Sequence, residues 1–401
     1  MKKMQLLSTV ALAVAFTLCS VGATAQGVLR IGVVLPLSGP NAQFGQNSRN
    51  GIELALADVN AAGGVKSLGG AKVELVYADV PQPGAAGAAT QRLISQEKVS
   101  GVVGAFVSSV TLAVSEVTER AGIPMITHSF ADQITSRGYK NIFQVSPKAS
   151  TIGQAQLDMA LDVAKRAGTQ ISKVAILFED TAYGTAQAKG LRDAATRAGV
   201  TIVMDEAYPL GITDVSPLIN KLRASGADVV FPVSYLNDSL LIIRTMKQQR
   251  LTMPIVGGAA GYVIPDFHKG LGELSDGVFS IAPANYDAVP AIASRYRAKH
   301  GTFMPHEALM YGAALQHMVA AVELAKSVEP GKIRDAIATV RKCDGFAAGL
   351  PGGCTSFDDK GLTNTAFPIF VQWTAPGELV TVHPTAVAKG KPSWAGRAVV
   401  N

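Results

Sequence analysis

From residue 29 onward the chain alternates short apolar runs with longer amphipathic ones, separated by Gly, Pro, Asn and Asp. Runs at 29–35, 72–78, 101–106, 124–127, 174–178, 201–206, 229–233, 254–257 and 277–281 predict strands. Most lack polar alternation: Val174-Ala175-Ile176-Leu177-Phe178 is apolar at every position. A strand of that kind needs cover on both faces, which a parallel sheet between two helical layers provides. The intervening stretches carry the complementary pattern. In 47–62, Ile52, Ala55, Leu56 and Val59 recur at helical spacing, Glu53, Asp58 and Asn60 lie off that stripe, and Gly63-Gly64 ends the helix. Similar stripes run through Ala188, Leu191, Ala195 and Ala198, and through Ala314, Met318, Ala321 and Ala325 within a helix expected over 309–327.

The βα rhythm runs for about one lobe and restarts near 171–179, so two similar α/β lobes are expected. Phe143-Gln144-Val145-Ser146-Pro147 reads as a crossing between them, because an extended segment ending at Pro does not readily continue as helix. A second crossing is expected near 280–285. After Gly353, runs at 368–372 and 379–382 predict a closing hairpin around Pro376-Gly377, and the tail from Pro384 onward receives no element.

Residues 1–25 read as a secretory leader: Lys2 and Lys3 precede an apolar stretch over 6–18, and Ala23-Thr24-Ala25 supplies small residues for cleavage after Ala25. No later segment reads as long and apolar enough to span a bilayer. Loss of the leader takes the net charge from +6 to +4, a mild excess. The 14 Phe, 9 Tyr and 2 Trp do not interleave with Lys/Arg runs, which excludes a dedicated nucleic-acid surface from the expectations. Of the 3 cysteines, Cys19 leaves with the leader, and Cys343 and Cys354 remain as an even pair suited to an oxidising compartment. A disulfide between them would close a glycine-rich loop and stabilise the fold by about 3 kcal/mol.

Catalytic constellations are missing. No Gly-rich phosphate loop, zinc-protease helix or nucleophile elbow stands in a fitting context, so no catalytic residue, cofactor or metal is expected. The six histidines, His128, His268, His300, His306, His317 and His383, do not pair at ligand spacing on one helical face. Gly257-Gly258-Ala259-Ala260-Gly261 has the wrong spacing for a pyrophosphate turn.

Residues 29–65, reading LRIGVVLPLSGPNAQFGQNSRNGIELALADVNAAGGV, closely resemble the amino-terminal signature of the periplasmic branched-chain amino acid binding proteins of ABC transporters. Supporting matches are GVVGAFVSS at 101–109, IPMI at 123–126 and EDTAYG at 179–184, and the resemblance covers essentially the whole mature chain. It implies an α/β protein of two doubly wound parallel-sheet lobes joined by three crossings, closing on a ligand in the cleft. Residues 26–147 plus 280–357 would form one lobe and 148–279 plus 358–401 the other. It also implies a periplasmic protein whose partners are a small carboxylic or amino acid ligand and a membrane permease.

On the same resemblance, Phe44 covers the ligand side chain, and Ser108 and Ser109 bind a ligand carboxylate through hydroxyl and backbone N–H. Tyr183 reaches the ligand from the second lobe, with Tyr235 or Asn237 in the next loop. Two departures bear on the ligand. Ser129-Phe130-Ala131 replaces a loop that offers a carbonyl and a threonine hydroxyl, and Gly258-Ala259 stands where the amino acid binders carry the glutamate that pairs the α-ammonium. An uncompensated buried ammonium is costly, so the expected ligand is an aromatic or other apolar acid unless Asp132 or Asp238 supplies the charge. The alternative function is the ligand-sensing component of a signalling system that binds an amino acid or amide. For His128 an anion-anchoring role and a hydrogen bond to a backbone carbonyl both stand open.

Overall fold

The computed structural model describes residues 28–399, so the leader expected at 1–25 lies outside the described residues. The first sheet has five strands in the order Lys72–Asp79, Val28–Leu35, Gly101–Gly104, Met125–Thr127, Ile142–Gln144, all parallel. Val33 stands opposite Tyr77 on one side and Val103 on the other. In the second lobe Lys173–Glu179 lies between Thr201–Tyr208 and Val229–Val233, again parallel. A bridge from Val230 to Ile255 continues this lobe into Val256–Gly257 and Phe279–Ala282. The hairpin Ile369–Thr374 and Glu378–His383 then closes the edge antiparallel.

The two-faced strand behaves as its composition demands. All five residues of 174–178 are at most 7% exposed, and they divide by parity between two cores. Val174, Ile176 and Phe178 share one core with Ala188 and Leu191 of the helix Ala182–Ala198, which pairs with Ala149–Arg166. Ala175 and Leu177 enter the other core with Ile219, Leu222 and Ile242, from Ser216–Ser225 and Leu236–Gln248. In the first lobe Ala42–Ala61 packs along His306–Ala325, and Ala86–Ser95 packs along Ser108–Ala121.

Differences from the sequence expectations have local causes. The run 101–106 ends as a strand at Gly104, because Phe106 adopts a left-handed backbone (φ +68°) that leaves the pleat. Residues 142–144, expected partly as a crossing, first form the edge strand of the first sheet. The tail contains the small hairpin of Ser393–Trp394 and Arg397–Ala398, and the Trp394 ring lies 5.2 Å from Phe279. The expectation that no later segment is long and apolar enough to cross a membrane is corrected: the 20-residue helix His306–Ala325 passes by length and composition. It is instead a core helix, with 78% of its most apolar window buried in the protein. Cys343 and Cys354 form a disulfide beside the antiparallel bridge Lys342–Thr355.

The packing of Ala42–Ala61 on His306–Ala325 depends on one missing side chain. A Cβ at Gly51 would overlap the backbone carbonyl of Ala308, which cannot retreat without moving its helix. Gly51→Ala should therefore lower stability by about 1–3 kcal/mol in urea unfolding. Gly87→Ala, at an exposed position of the helix Ala86–Ser95 with open space at its Cβ, should raise it by about 0.5–1 kcal/mol.

Candidate ligand site between the lobes

Parallel strands deliver their carboxyl-end loops to the same edge, and these loops build the site. The exit of Gly101–Gly104 brings Phe106 and Ser108, that of Met125–Thr127 brings His128, Ser129, Phe130 and Ala131, and Phe44 follows the exit of Val28–Leu35. From the second lobe come Tyr183 after Lys173–Glu179, Tyr235 after Val229–Val233, and Gly258-Ala259 after Val256–Gly257.

These side chains form one aromatic cluster across the seam. Phe44 stacks on Phe106 at 4.5 Å between ring centroids and meets Tyr235 edge-on at 5.9 Å. Tyr183 lies 5.5 Å from Tyr235 and 5.6 Å from Phe130. His128 stands edge-on to Phe130 and to His306, each at 5.0 Å. Every member is at most 5% exposed. Such ring pairs contribute about 0.5–1.5 kcal/mol each beyond their burial. A cavity of 630 Å³ lies on the outer side of the same seam, between Gln43 and Asn47 of the first lobe and Asp266, His268 and Lys269 of the second.

Polar groups at the site are tied down individually. The Ser108 hydroxyl accepts the backbone N–H groups of Ala131 (3.1 Å) and Phe130 (3.3 Å), at the start of Ser108–Ala121. The Tyr235 hydroxyl receives the Ser108 backbone N–H and so links the lobes. Tyr183 donates its hydroxyl to the Gly258 carbonyl. The Ala259 N–H is held by Ser280, and Ala259 itself has a left-handed backbone (φ +67°). Ser129 serves its own lobe: its hydroxyl bonds Thr111 at 2.5 Å and the Phe106 carbonyl at 2.8 Å. Ser109 is half-buried on the first turn of its helix, and Asn237 is exposed on Leu236–Gln248, outside the cluster.

No Lys or Arg is buried among the described residues, so the site has no cation of its own. Its nearby acids are engaged. Glu179 takes the N–H groups of Gly184 (2.6 Å) and Thr181 (2.7 Å), and burial raises its pKa. Asp238 faces the Gly211 N–H at 3.3 Å, with its pKa raised by burial to about 6. Asp132 accepts from Ser150.

Sequence reasoning did not reach Phe106, His306, Glu307, Tyr311 or Asn47. The His128 ring makes no hydrogen bond to a backbone carbonyl; its Nε2 lies 2.9 Å from Nδ1 of His306. Nε2 of His306 is 3.3 Å from Oε2 of Glu307, whose Oε1 accepts from Asn47 at 2.9 Å. Burial pushes the pKa of His306 down to about 3 and that of His128 well down, and lifts Glu307 to about 8. The available signal was His306-Glu307 itself, a polar pair leading a largely apolar helix after Pro305.

The chain matches the family model of the periplasmic binding proteins over residues 28–375, and it belongs to that family. It is a solute-binding protein of the ABC transporter class, in a family of extracytoplasmic binders rather than enzymes. The Leu/Ile/Val-binding protein homolog 8 of Brucella melitensis biotype 1 is 34% identical over 379 residues, covering 90% of this chain and 92% of the relative. Two solved structures share the fold. A branched-chain amino acid transporter substrate binding protein from Streptococcus pneumoniae, in complex with isoleucine, has a TM-score of 0.75 at 24% identity, covering 93% and 98% of the two chains. An ABC transporter solute binding protein from R. palustris, in complex with benzoate, has a TM-score of 0.77 at 21% identity, covering 94% and 98%.

Histidines buried neutral make stability depend on acid. Their folded pKa values lie below the unfolded 6.5, so their contribution is complete above pH 6.5 and is lost as pH falls toward the folded values. Each should steepen the loss by up to about 1.4 kcal/mol per pH unit. Urea unfolding between pH 7 and 4 should show this slope, and His306→Phe should reduce it.

Proposed function

We propose that this protein binds a small carboxylic acid lacking an amine, aromatic or otherwise apolar, between its lobes and delivers it to an ABC permease. The lobes divide close to 147, 282 and 357, since Phe279–Ala282 pairs within the second lobe's sheet, and the mature chain begins after Ala25. The observation that carries the reading is an aromatic cluster beside the start of Ser108–Ala121 in which Gly258-Ala259 bears no acid. An α-ammonium placed there would meet no free carboxylate, since Glu179 and Asp238 already face backbone N–H groups. An apolar ring entering the opened cleft would instead meet Phe44, Phe106, Phe130, Tyr183 and Tyr235, which gather at this seam. The benzoate complex in the same fold supports this direction, and the isoleucine complex supports the competing one.

Ligand enters the opened cleft, its carboxylate takes the backbone N–H groups and hydroxyl at the start of Ser108–Ala121, and Tyr183 and Tyr235 complete the cage on closure. Titration calorimetry of residues 26–401 should give saturable heats with benzoate and none with leucine. A thermal shift should agree, since a ligand at 100 times its Kd adds about 2.7 kcal/mol to the folded state. Tight leucine binding with no response to benzoate or aliphatic acids overturns the reading.

A further inference from the structure

Three segments join the lobes, running from Gln144 to Ala149, from Ala282 to Pro290 and from Phe357 to Ile369. Backbone that turns with two lobes must be held at its ends, with the turn confined between them. The second segment is held on two sides. Asp287 accepts the backbone N–H of Thr381 at 3.0 Å and its hydroxyl at 2.9 Å. The Asn285 amide reaches Oγ1 of Thr381 at 3.1 Å and the Leu379 carbonyl at 3.2 Å, so 285–287 is fastened to the second-lobe hairpin. Two residues further on, Val289 is buried against the loop that Cys343 and Cys354 close: a Cβ at Gly349 would stand 2.9 Å from both Val289 methyl carbons.

The same loop holds the third segment. The Thr365 hydroxyl donates to the Cys354 carbonyl at 2.7 Å, and a Cβ at Gly352 would overlap the Thr365 carbonyl. The third segment in turn holds the first, since Thr363 N–H donates to the Gln144 carbonyl at 2.9 Å and Gln144 N–H to the Gly361 carbonyl at 2.7 Å. The loop is anchored in the first lobe. Phe346 is fully buried with its ring over Gly312 of His306–Ala325, and its N–H reaches the Gln316 side chain at 3.0 Å. Toward the second lobe, a cavity of 220 Å³ lies between Leu350-Pro351 of the loop and Thr381, Val387 and Lys389. One loop, fixed to the first lobe, therefore meets two of the three crossings, and a cavity lies between it and the lobe that moves.

We infer that the loop closed by Cys343 and Cys354 is the bracket on which the lobes turn, positioning the second crossing at Val289 and the third at Thr365 for closure on the ligand. Its span contains Gly345, Gly349, Gly352 and Gly353, a composition that does not hold one shape by itself. Without the bond, closure has to order this stretch afresh, and the closed form loses stability relative to the open one. A complex with a weakened closed form releases ligand faster, while capture by the open cleft is unaffected. The bracket is independent of what the cleft binds; only its kinetic test uses the carboxylate reading above.

Stopped-flow kinetics and deuterium exchange test it together. Benzoate should leave the Cys343→Ala/Cys354→Ala protein about tenfold faster than the unsubstituted one, the scale set by one or two hydrogen bonds, with an unchanged association rate. Gly352→Ala keeps the disulfide and should act in the same direction, because its methyl group pushes on the Thr365 carbonyl. Gly331→Ala, with open space at its Cβ in Pro330–Thr339, should change neither rate. In both active variants without ligand, amide exchange should accelerate over 286–289 and 361–366 and stay unchanged over 174–178. Unchanged dissociation in both variants overturns the bracket and leaves the carboxylate reading standing. Slower association with unchanged dissociation overturns it too, because the loop would then gate entry. If the unsubstituted protein does not bind benzoate, the carboxylate reading falls and exchange decides the bracket. Acceleration confined to the crossings supports it, and acceleration spread evenly over the first lobe, or none, overturns it. Should the double variant fail to fold, Gly352→Ala gives the same decision with the bond intact.

Discussion

The constraint on which the rest depends is that the central strands are apolar on both faces. Water must be kept from Val174, Ile176 and Phe178 on one side and from Ala175 and Leu177 on the other, and only two helical layers achieve this. Connections through such layers make the neighbouring strands parallel. Parallel strands in turn bring the loops at 36–44, 104–108, 128–131, 179–183, 234–235 and 258–259 to corresponding edges of two sheets. The site is therefore a consequence of how the core is covered, and its residues are scattered in sequence for that reason.

What the site contains follows from a second constraint. A seam buried on closure cannot leave ions unpaired, and the described residues bury no Lys or Arg. Polarity is supplied by dipoles and neutral donors: the backbone N–H groups beginning Ser108–Ala121, the hydroxyls of Ser108, Tyr183 and Tyr235, and the two imidazoles. The acids that remain are quenched by backbone N–H groups, as at Glu179, or held near neutrality by burial, as at Glu307.

Legibility in the sequence tracked the range of the signal. Strands such as 229–233 and the helix stripe through Ile52, Ala55, Leu56 and Val59 are local patterns, and the structure has elements there within a few residues. Ends depended on something non-local or conformational. The run 101–106 stopped at Gly104 because of the backbone at Phe106, and Ile142–Gln144 became a strand because Met125–Thr127 offered an edge. Phe44, Phe130, Tyr183 and Tyr235 were reachable because they lie in motifs that resemble a family. Asn237 came from the same reasoning and lies outside the cluster, since adjacent positions at a helix start point in different directions. His306, Glu307 and Asn47 carried no motif. Their contact spans 260 positions between Asn47 and Glu307, and no local pattern reports a separation of that size.

The close approach at Gly51 and the Asn47–Glu307 hydrogen bond are linked by the same helix pair. Gly51 permits Ala42–Ala61 to settle against the backbone of Ala308, one residue beyond Glu307. Asn47 lies one turn earlier on that helix, and its amide reaches Glu307 at 2.9 Å only if the helices stay this close. Asn47 also lines the cavity at the outer side of the seam. Packing thus sets the electrostatics here: the absence of one methyl group positions the amide that anchors Glu307.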